Sequence, residues 1–245
     1  MHATGLSILF IGFLLGVKHA TEADHLAAVA TLATRQSSVG QTLVQGAAWG
    51  VGHTATLMLF GGIVLALGRA IPENLAQALE FAVGIMLIAL GIDVLQRLAR
   101  RKIHFHLHRH ATGEKHVHAH SHPQEGPHEA SAHEHPHAGK VPLRALAVGM
   151  MHGMAGSAAL IVLSLGSVQT VAAGIAYVAL FGAGSILGMA LLSLAIAIPL
   201  RLSARRLAWM HGAMTSGIGV FSCALGAFVV YHIGIVQGLL IAAPR

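Results

Sequence analysis

Six apolar runs, each long enough to cross a bilayer, occupy about residues 5–34, 42–68, 75–97, 142–166, 171–200 and 208–236 of this 245-residue chain. A hydrocarbon core of about 30 Å takes roughly 20 helical residues to cross. Runs that are uninterrupted rather than alternating read as helices, not as barrel strands. Charged residues make up only 10% of the chain, where soluble domains carry about 25%. The expected fold is therefore an all-α integral membrane protein of six transmembrane helices. Pro72 and Pro142 stand at run starts and Pro199 near a run end, where proline does least damage. Cys223 is the sole cysteine, so an internal disulfide and dithiol chemistry are excluded. No cleavage pattern of a secretory leader precedes the first run, so the N-terminus is expected to stay on the mature chain.

Between the third and fourth runs the composition changes abruptly. Twelve of the 19 histidines lie between His104 and His137, among Pro, Gly, Ser and Glu. So little apolar surface predicts a segment that is disordered without metal. Its histidines can hold borderline cations weakly and in fast exchange, which suits a buffer, a loader or a metal sensor. Lys and Arg fix the orientation. Arg35, the basic cluster from Arg97 to Lys102, Arg144 and Arg201 fall on one side, and Arg69 and Arg245 on the other. The positive-inside bias puts the His-rich loop in the cytoplasm and both termini outside a bacterial-type cytoplasmic membrane. The formal charge of +6 thus reports topology rather than a nucleic-acid partner.

The halves resemble each other. "GVKHA" (16–20) aligns with "GMMHG" (149–153), setting His19 opposite His152, and "GVGHT" (50–54) aligns with "GAGSI" (182–186). "EFAVGIMLIALG" (80–91) lies over "TSGIGVFSCALG" (215–226), pairing Gly84 with Gly219 and Gly91 with Gly226. Three spans is an odd number, so the repeats must be inverted, as in secondary transporters that bind cargo near the midplane. The expected organisation is a first three-helix repeat over 1–100, the His-rich loop over 101–140 and a second repeat over 141–245.

The first run contains "GVKHATEADHLAAV", Gly16 to Val29, with Lys18, His19, Glu22, Asp24 and His25 inside eight residues. Each charge at a bilayer centre costs about 2.5–3.5 kcal/mol even on lenient scales. At about 100° per residue His19 and Glu22 share a helix face, whereas Asp24 points well away from it. Either other helices receive these groups, or the helix opens near Gly16 to Ala20; opening is the favoured expectation. Imidazole with carboxylate suits Ni(II), Co(II), Cu(II) and Zn(II). His53 in "GVGHTATL" offers a third imidazole, and His152 completes the set from the second half or hydrogen-bonds across the pseudo-twofold axis. Lys18 is expected to pair with Glu22 or Asp24, or to hold a structural ion pair. Glu80, early in the third run, is a costly carboxylate and a candidate ligand. His2 with the free amine could chelate Ni(II) in a square plane. His211 and His232 are expected at interfaces, Asp93 in solvent, and Met150, Met151 and Met154 in packing.

"HATEADH", a His followed by four residues and then Asp-His, resembles the signature of the nickel/cobalt transporter family, in its shorter urease-accessory-like branch. "GHTATL" in the second run and "MHGMAGSAAL" in the fourth are also similar to that group, so the resemblance covers both halves. It implies that His19, Asp24 and His25 are needed for metal movement and that His53 is a neighbouring ligand. Six spans with a His-rich loop also resemble the efflux branch, so the direction of transport stays open.

The expected function is secondary transport of Ni(II), with Co(II) as co-substrate, import being favoured over efflux. The cargo ion is the substrate and no resident cofactor is expected. Besides that ion and the bilayer, a cytosolic metal chaperone and a second copy of the chain are candidate partners. No GxxxxGK[ST] loop is present, so the chain does not itself use ATP. A zinc exchanger is a second transport reading, disfavoured by the missing HExxH. A membrane metal sensor or chaperone that does not transport is the alternative of another class. An enzyme is disfavoured, since no HExxH or Ser/His/Asp arrangement stands out.

Overall fold

The computed structural model describes the backbone of residues 2–36, 38–67, 72–100, 104–109, 115–120, 142–165 and 170–241. The first apolar run forms two helices, α1 (His2–His19) and α2 (Ala23–Ala33). Four long helices follow the same pattern: α3 (Val39–Leu67), α4 (Glu73–Arg100), α6 (Val171–Arg206) and α7 (Ala208–Tyr231), with α5 (Leu143–Leu165) opening the second half. A π-helical turn, His232–Val236, extends α7. α3, α4, α6 and α7 are long and apolar enough to cross a membrane, with mean hydropathy 1.3, 2.2, 2.1 and 2.0 over their spans. Their outer faces carry exposed Leu59, Ile63, Ile85, Ile92, Leu187 and Phe221. An apolar exterior of that extent is what lipid solvates and water does not. The chain is thus a helical membrane protein. α6 runs past Pro199 to Arg206, further than the run of 171–200 suggested.

Small residues bring the helices together. α3 lies against α5 and α6, α1 against α6, and α4 against α7. At the α4–α7 crossing a Cβ on Gly91 would sit 2.7 Å from the Gly219 carbonyl and 2.8 Å from the Cys223 amide, so only glycine lets these backbones approach. In lipid no hydrophobic force drives helices together, and such close van der Waals contact replaces it. Hydroxyls add cross-links: Ser222 donates to the Leu87 carbonyl at 2.8 Å, Thr54 to Gly182 at 3.2 Å and Ser185 to Gly16 at 3.3 Å.

α2 is the innermost element. His25 and every residue from Ala27 to Ala33 are buried, enclosed by α3, α4, α6 and α7. Just past its C-terminal end Arg35, together with Arg97 (3.1 Å) and Arg144 (3.7 Å), pairs with Asp93, which ties this end of α2 to α4 and α5. Asp93 is therefore not the freely solvated group expected from its place near a span end.

The His-rich segment departs from the expected disorder at 104–109 and 115–120. These residues form an antiparallel hairpin, β1 (His104–Arg109) with β2 (Lys115–His120), pairing His104 with His120, His106 with His118 and His108 with His116. Alternation explains it: Phe105, Leu107, Val117 and Ala119 occupy every second position, a period-2 pattern that composition alone hides. The register sets six histidines at positions of one hairpin face. The rest of the segment, to His137, lies outside the described residues.

Candidate metal centre

The centre begins at the break in the first run. α1 ends at His19, and the chain turns tightly, with the Thr21 amide donating to the Lys18 carbonyl (2.9 Å) and the Glu22 amide to His19 (3.1 Å). The Thr21 hydroxyl donates to the same Lys18 carbonyl at 2.6 Å, a second hydrogen bond at the helix end. Glu22 is extended (φ −64°, ψ 151°) and starts α2. The opening is at Ala20–Glu22, at the far edge of the stretch expected to open. It turns Asp24 and His25 back toward His19, which one straight helix could not do.

Four imidazoles converge there: His19 from α1, His25 from α2, His53 from α3 and His152 from α5. All are buried. Ring centroids are 4.3 Å apart for His19–His25 and His25–His152, and 5.2 Å for His25–His53. Two overlapping ligand groups result, His19–His25–His53 and Asp24–His25–His152, each with ligand atoms within 4.8 Å of one another.

Two carboxylates fix the tautomers. Asp24 Oδ1 lies 2.9 Å from His25 Nδ1 and Oδ2 lies 2.9 Å from His152 Nε2. Glu22 Oε1 lies 3.0 Å from His19 Nδ1. An ionised carboxylate only accepts, so each facing nitrogen carries the proton and its opposite nitrogen keeps a free lone pair. Among the described residues those opposite nitrogens, His25 Nε2, His152 Nδ1 and His19 Nε2, have no partner, and neither does either nitrogen of His53. An unpaired buried polar group costs about 1–3 kcal/mol. A borderline divalent cation is the ligand that satisfies several lone pairs at once, and carboxylate-oriented imidazole is its usual donor. The donor set fits such an ion.

The carboxylates are the more exposed side chains of the group. Side-chain exposure is 58% for Glu22 and 34% for Asp24, against 8% or less for His19, His25 and His152. The remaining expected residues fall elsewhere. Glu80 lies half-buried on α4, outside both ligand groups and with no hydrogen bond or ion pair among the described residues. Lys18 is exposed and pairs with neither Glu22 nor Asp24, because each carboxylate is engaged by imidazole. His2 opens α1, but its side chain lies outside the described residues. His211 Nδ1 donates to the Leu200 carbonyl at 3.1 Å, and His232 stacks on Phe228.

Sequence reasoning missed the aromatic walls. Trp49 is fully buried, with its ring 5.3 Å from His25 and 5.6 Å from His152, while Phe181 lies 5.3 Å from His19. Trp49 stands one helical turn before His53, a spacing that signals a shared face.

The chain is 35% identical to the urease accessory protein UreH of Bacillus sp. (strain TB-90) over 237 residues, covering 96% of this chain and 95% of that protein. No family model matches the chain, and no solved structure does. Identity at that level over nearly the whole of both chains, both halves included, places the protein in the nickel/cobalt transporter family, in its urease-accessory UreH branch.

Proposed function

We propose that the protein is a secondary permease for Ni(II), with Co(II) as a second cargo, importing the ion across a cytoplasmic membrane. One observation carries this: four buried imidazoles from α1, α2, α3 and α5 meet, with nitrogens unpartnered among the described residues, beside exposed Glu22 and half-buried Asp24. The ion is held by His19, His25 and His53, with His152, Asp24 and Glu22 completing or orienting the set. Affinity must stay moderate, because a closed four-ligand cage would trap the ion.

The reading takes the broken first run and α5 as two further spans, making six, with residues 1–100 and 141–245 as inverted repeats. Equivalent positions exchanging partners supports it. A Cβ on Gly16 would collide with the Phe181 carbonyl, and one on its counterpart Gly149 with the Trp49 carbonyl. Phe181 and Trp49 are themselves equivalent in the alignment. Likewise Gly84 approaches Gly226 and Gly91 approaches Gly219. Rocking of the halves about this axis gives alternating access.

In this arrangement both termini face outward, His2 is a first ligand at the outer face and Glu80 an accessory carboxylate. The 101–140 loop receives the ion in the cytoplasm and passes it to a metal chaperone. The relative is a urease accessory protein, and urease takes up nickel as it matures, which favours import over efflux.

Nickel entry into sealed vesicles holding the purified protein tests the proposal. Flux that drops at least tenfold with His19→Ala supports the permease. Nickel binding without flux in the unaltered protein supports a membrane sensor instead.

A further inference from the structure

Two aromatic rings bracket the imidazole cluster, one on each side. Trp49 is fully buried and Phe181 1% exposed. Trp49 packs on His25 and His152, and Phe181 on His19, with centroids 5.3–5.6 Å away. Each ring thus covers the imidazole of the opposite half: Trp49 from the first half on His152, Phe181 from the second half on His19. The rings are equivalent in the internal alignment, as are the two histidines.

The ground beyond each ring points to opposite faces. Beyond Trp49 is a closed seam, too narrow to hold a water, lined by Thr42, Gln45 and Ser193 among Val29, Leu32 and Ala33. It leads along α2 and α3 toward Arg35, on the basic side held by Asp93. Beyond Phe181 lie Tyr177, Val178 and Leu57 with Leu9 and Leu15, toward the N-terminal end of α1.

The seam is mainly apolar, with three polar side chains set in it. The Thr42 and Ser193 hydroxyls donate to the Ser38 and Met189 carbonyls four residues earlier, so each oxygen keeps acceptor capacity. Among the described residues Gln45 Oε1 and the Trp49 indole N–H are both buried with no partner, although they lie one turn apart on α3. Swinging the indole from the imidazoles toward Gln45 would satisfy both groups and uncover the cluster from the inner side. That is a two-position element, as alternating access needs.

We propose that Trp49 and Phe181 are the inner and outer gates of the ion path, and that Gln45 Oε1 and the Thr42 and Ser193 hydroxyls take over the ion as it leaves the imidazoles inward. This rests on the permease reading. The gates are positioning groups, not ligands: they decide from which side the cluster is reached.

The test uses the full chain in sealed vesicles, with nickel chloride as the probe, alongside nickel titration of the same proteins in detergent. Wild-type flux is the control for the permease reading: its absence sinks that reading, whatever the gates do. Given wild-type flux, the double variant Trp49→Ala/Phe181→Ala is expected to bind nickel within tenfold of wild type yet pass it at least tenfold faster, without saturation. A purely structural role predicts slower flux. Gln45→Leu is expected to keep binding within threefold while flux falls at least tenfold, and Gln45→Asn, which keeps a carbonyl, to recover part of it. If the alanine pair does not bind nickel, the volume-keeping pair Trp49→Leu/Phe181→Leu decides by the same flux criterion. Nickel-binding double variants with flux at or below wild type overturn the gates. Undiminished flux in Gln45→Leu overturns the inner path.

Discussion

Replacing Asp24 by Asn asks whether the carboxylate orients the centre or simply ligates the ion. Asp24 accepts from both His25 Nδ1 and His152 Nε2 at 2.9 Å. The asparagine amide has one acceptor and one donor end. It can keep one imidazole in place but presents N–H to the other, which must flip its tautomer and turn its proton toward the centre. One hydrogen bond to a charged group is lost, worth about 1.5–3 kcal/mol. At about 1.4 kcal/mol per tenfold, nickel affinity should fall roughly 10- to 100-fold. Loss of an orienting carboxylate at other metal sites costs the same range. Titration calorimetry in detergent measures the affinity, and the visible spectrum of the Co(II)-loaded protein reports the ligand number. The expectation is weaker binding with a tetrahedral nitrogen-rich spectrum retained, whereas His53→Ala alters the spectrum itself. Unchanged affinity in Asp24→Asn would refute the orienting role, and a changed coordination number would make Asp24 a direct ligand.

Nickel binding by the histidines of the 101–140 loop should weaken as pH falls through the histidine range, because neutral imidazole is the ligand and each proton taken up competes with the ion; titration between pH 8 and pH 5.5 measures the slope. Asp93→Asn leaves Arg35, Arg97 and Arg144 without their shared partner. The partly exposed pairs are worth about 1 kcal/mol, so a modest fall in thermal midpoint in detergent is expected, with nickel affinity intact. Gly91→Val puts side-chain atoms on the Gly219 carbonyl and the Cys223 amide. Overpacking costs about 1–3 kcal/mol, and a lower midpoint should follow, relieved in part by shrinking a neighbour with Cys223→Ala.

The long apolar runs and the crowded motif of the first run were legible, since hydropathy and the cost of buried charge are local properties. That His19, Asp24, His25 and His53 are neighbours follows from no local rule. The straight-helix geometry even argues against it, and the break at Ala20–Glu22 supplies the turn. Its placement depends on Thr21 capping the Lys18 carbonyl, one hydrogen bond among many that the sequence permits. The expected Lys18 ion pair failed for a similar reason: Glu22 and Asp24 had nearer partners in imidazole, and partners are set by tertiary contact. Trp49 went unremarked because a tryptophan in an apolar run reads as packing. Only its contact with His25 and His152 gives it a function to test.

Charge decides what such a centre can carry. With Glu22 and Asp24 ionised and four imidazoles neutral, the empty centre holds two negative charges at the edge of a low-dielectric interior. Moving a carboxylate out of water costs several kcal/mol even after relaxation, so the exposed positions of Glu22 and Asp24 keep that cost small while the site is empty. A divalent ion brings the sum to zero, and the loaded centre can then close. A monovalent ion leaves one negative charge, which opposes closure. Magnesium and calcium match the charge but prefer oxygen to imidazole nitrogen. Under the permease proposal, charge and donor type select separately: the carboxylates favour divalent ions, and the imidazoles choose among these. Glu22→Gln should accordingly lower nickel flux and weaken discrimination against sodium in vesicle competition. It should leave the preference for nickel over magnesium in place, and a variant that lost both preferences together would show that the two selections are not separate.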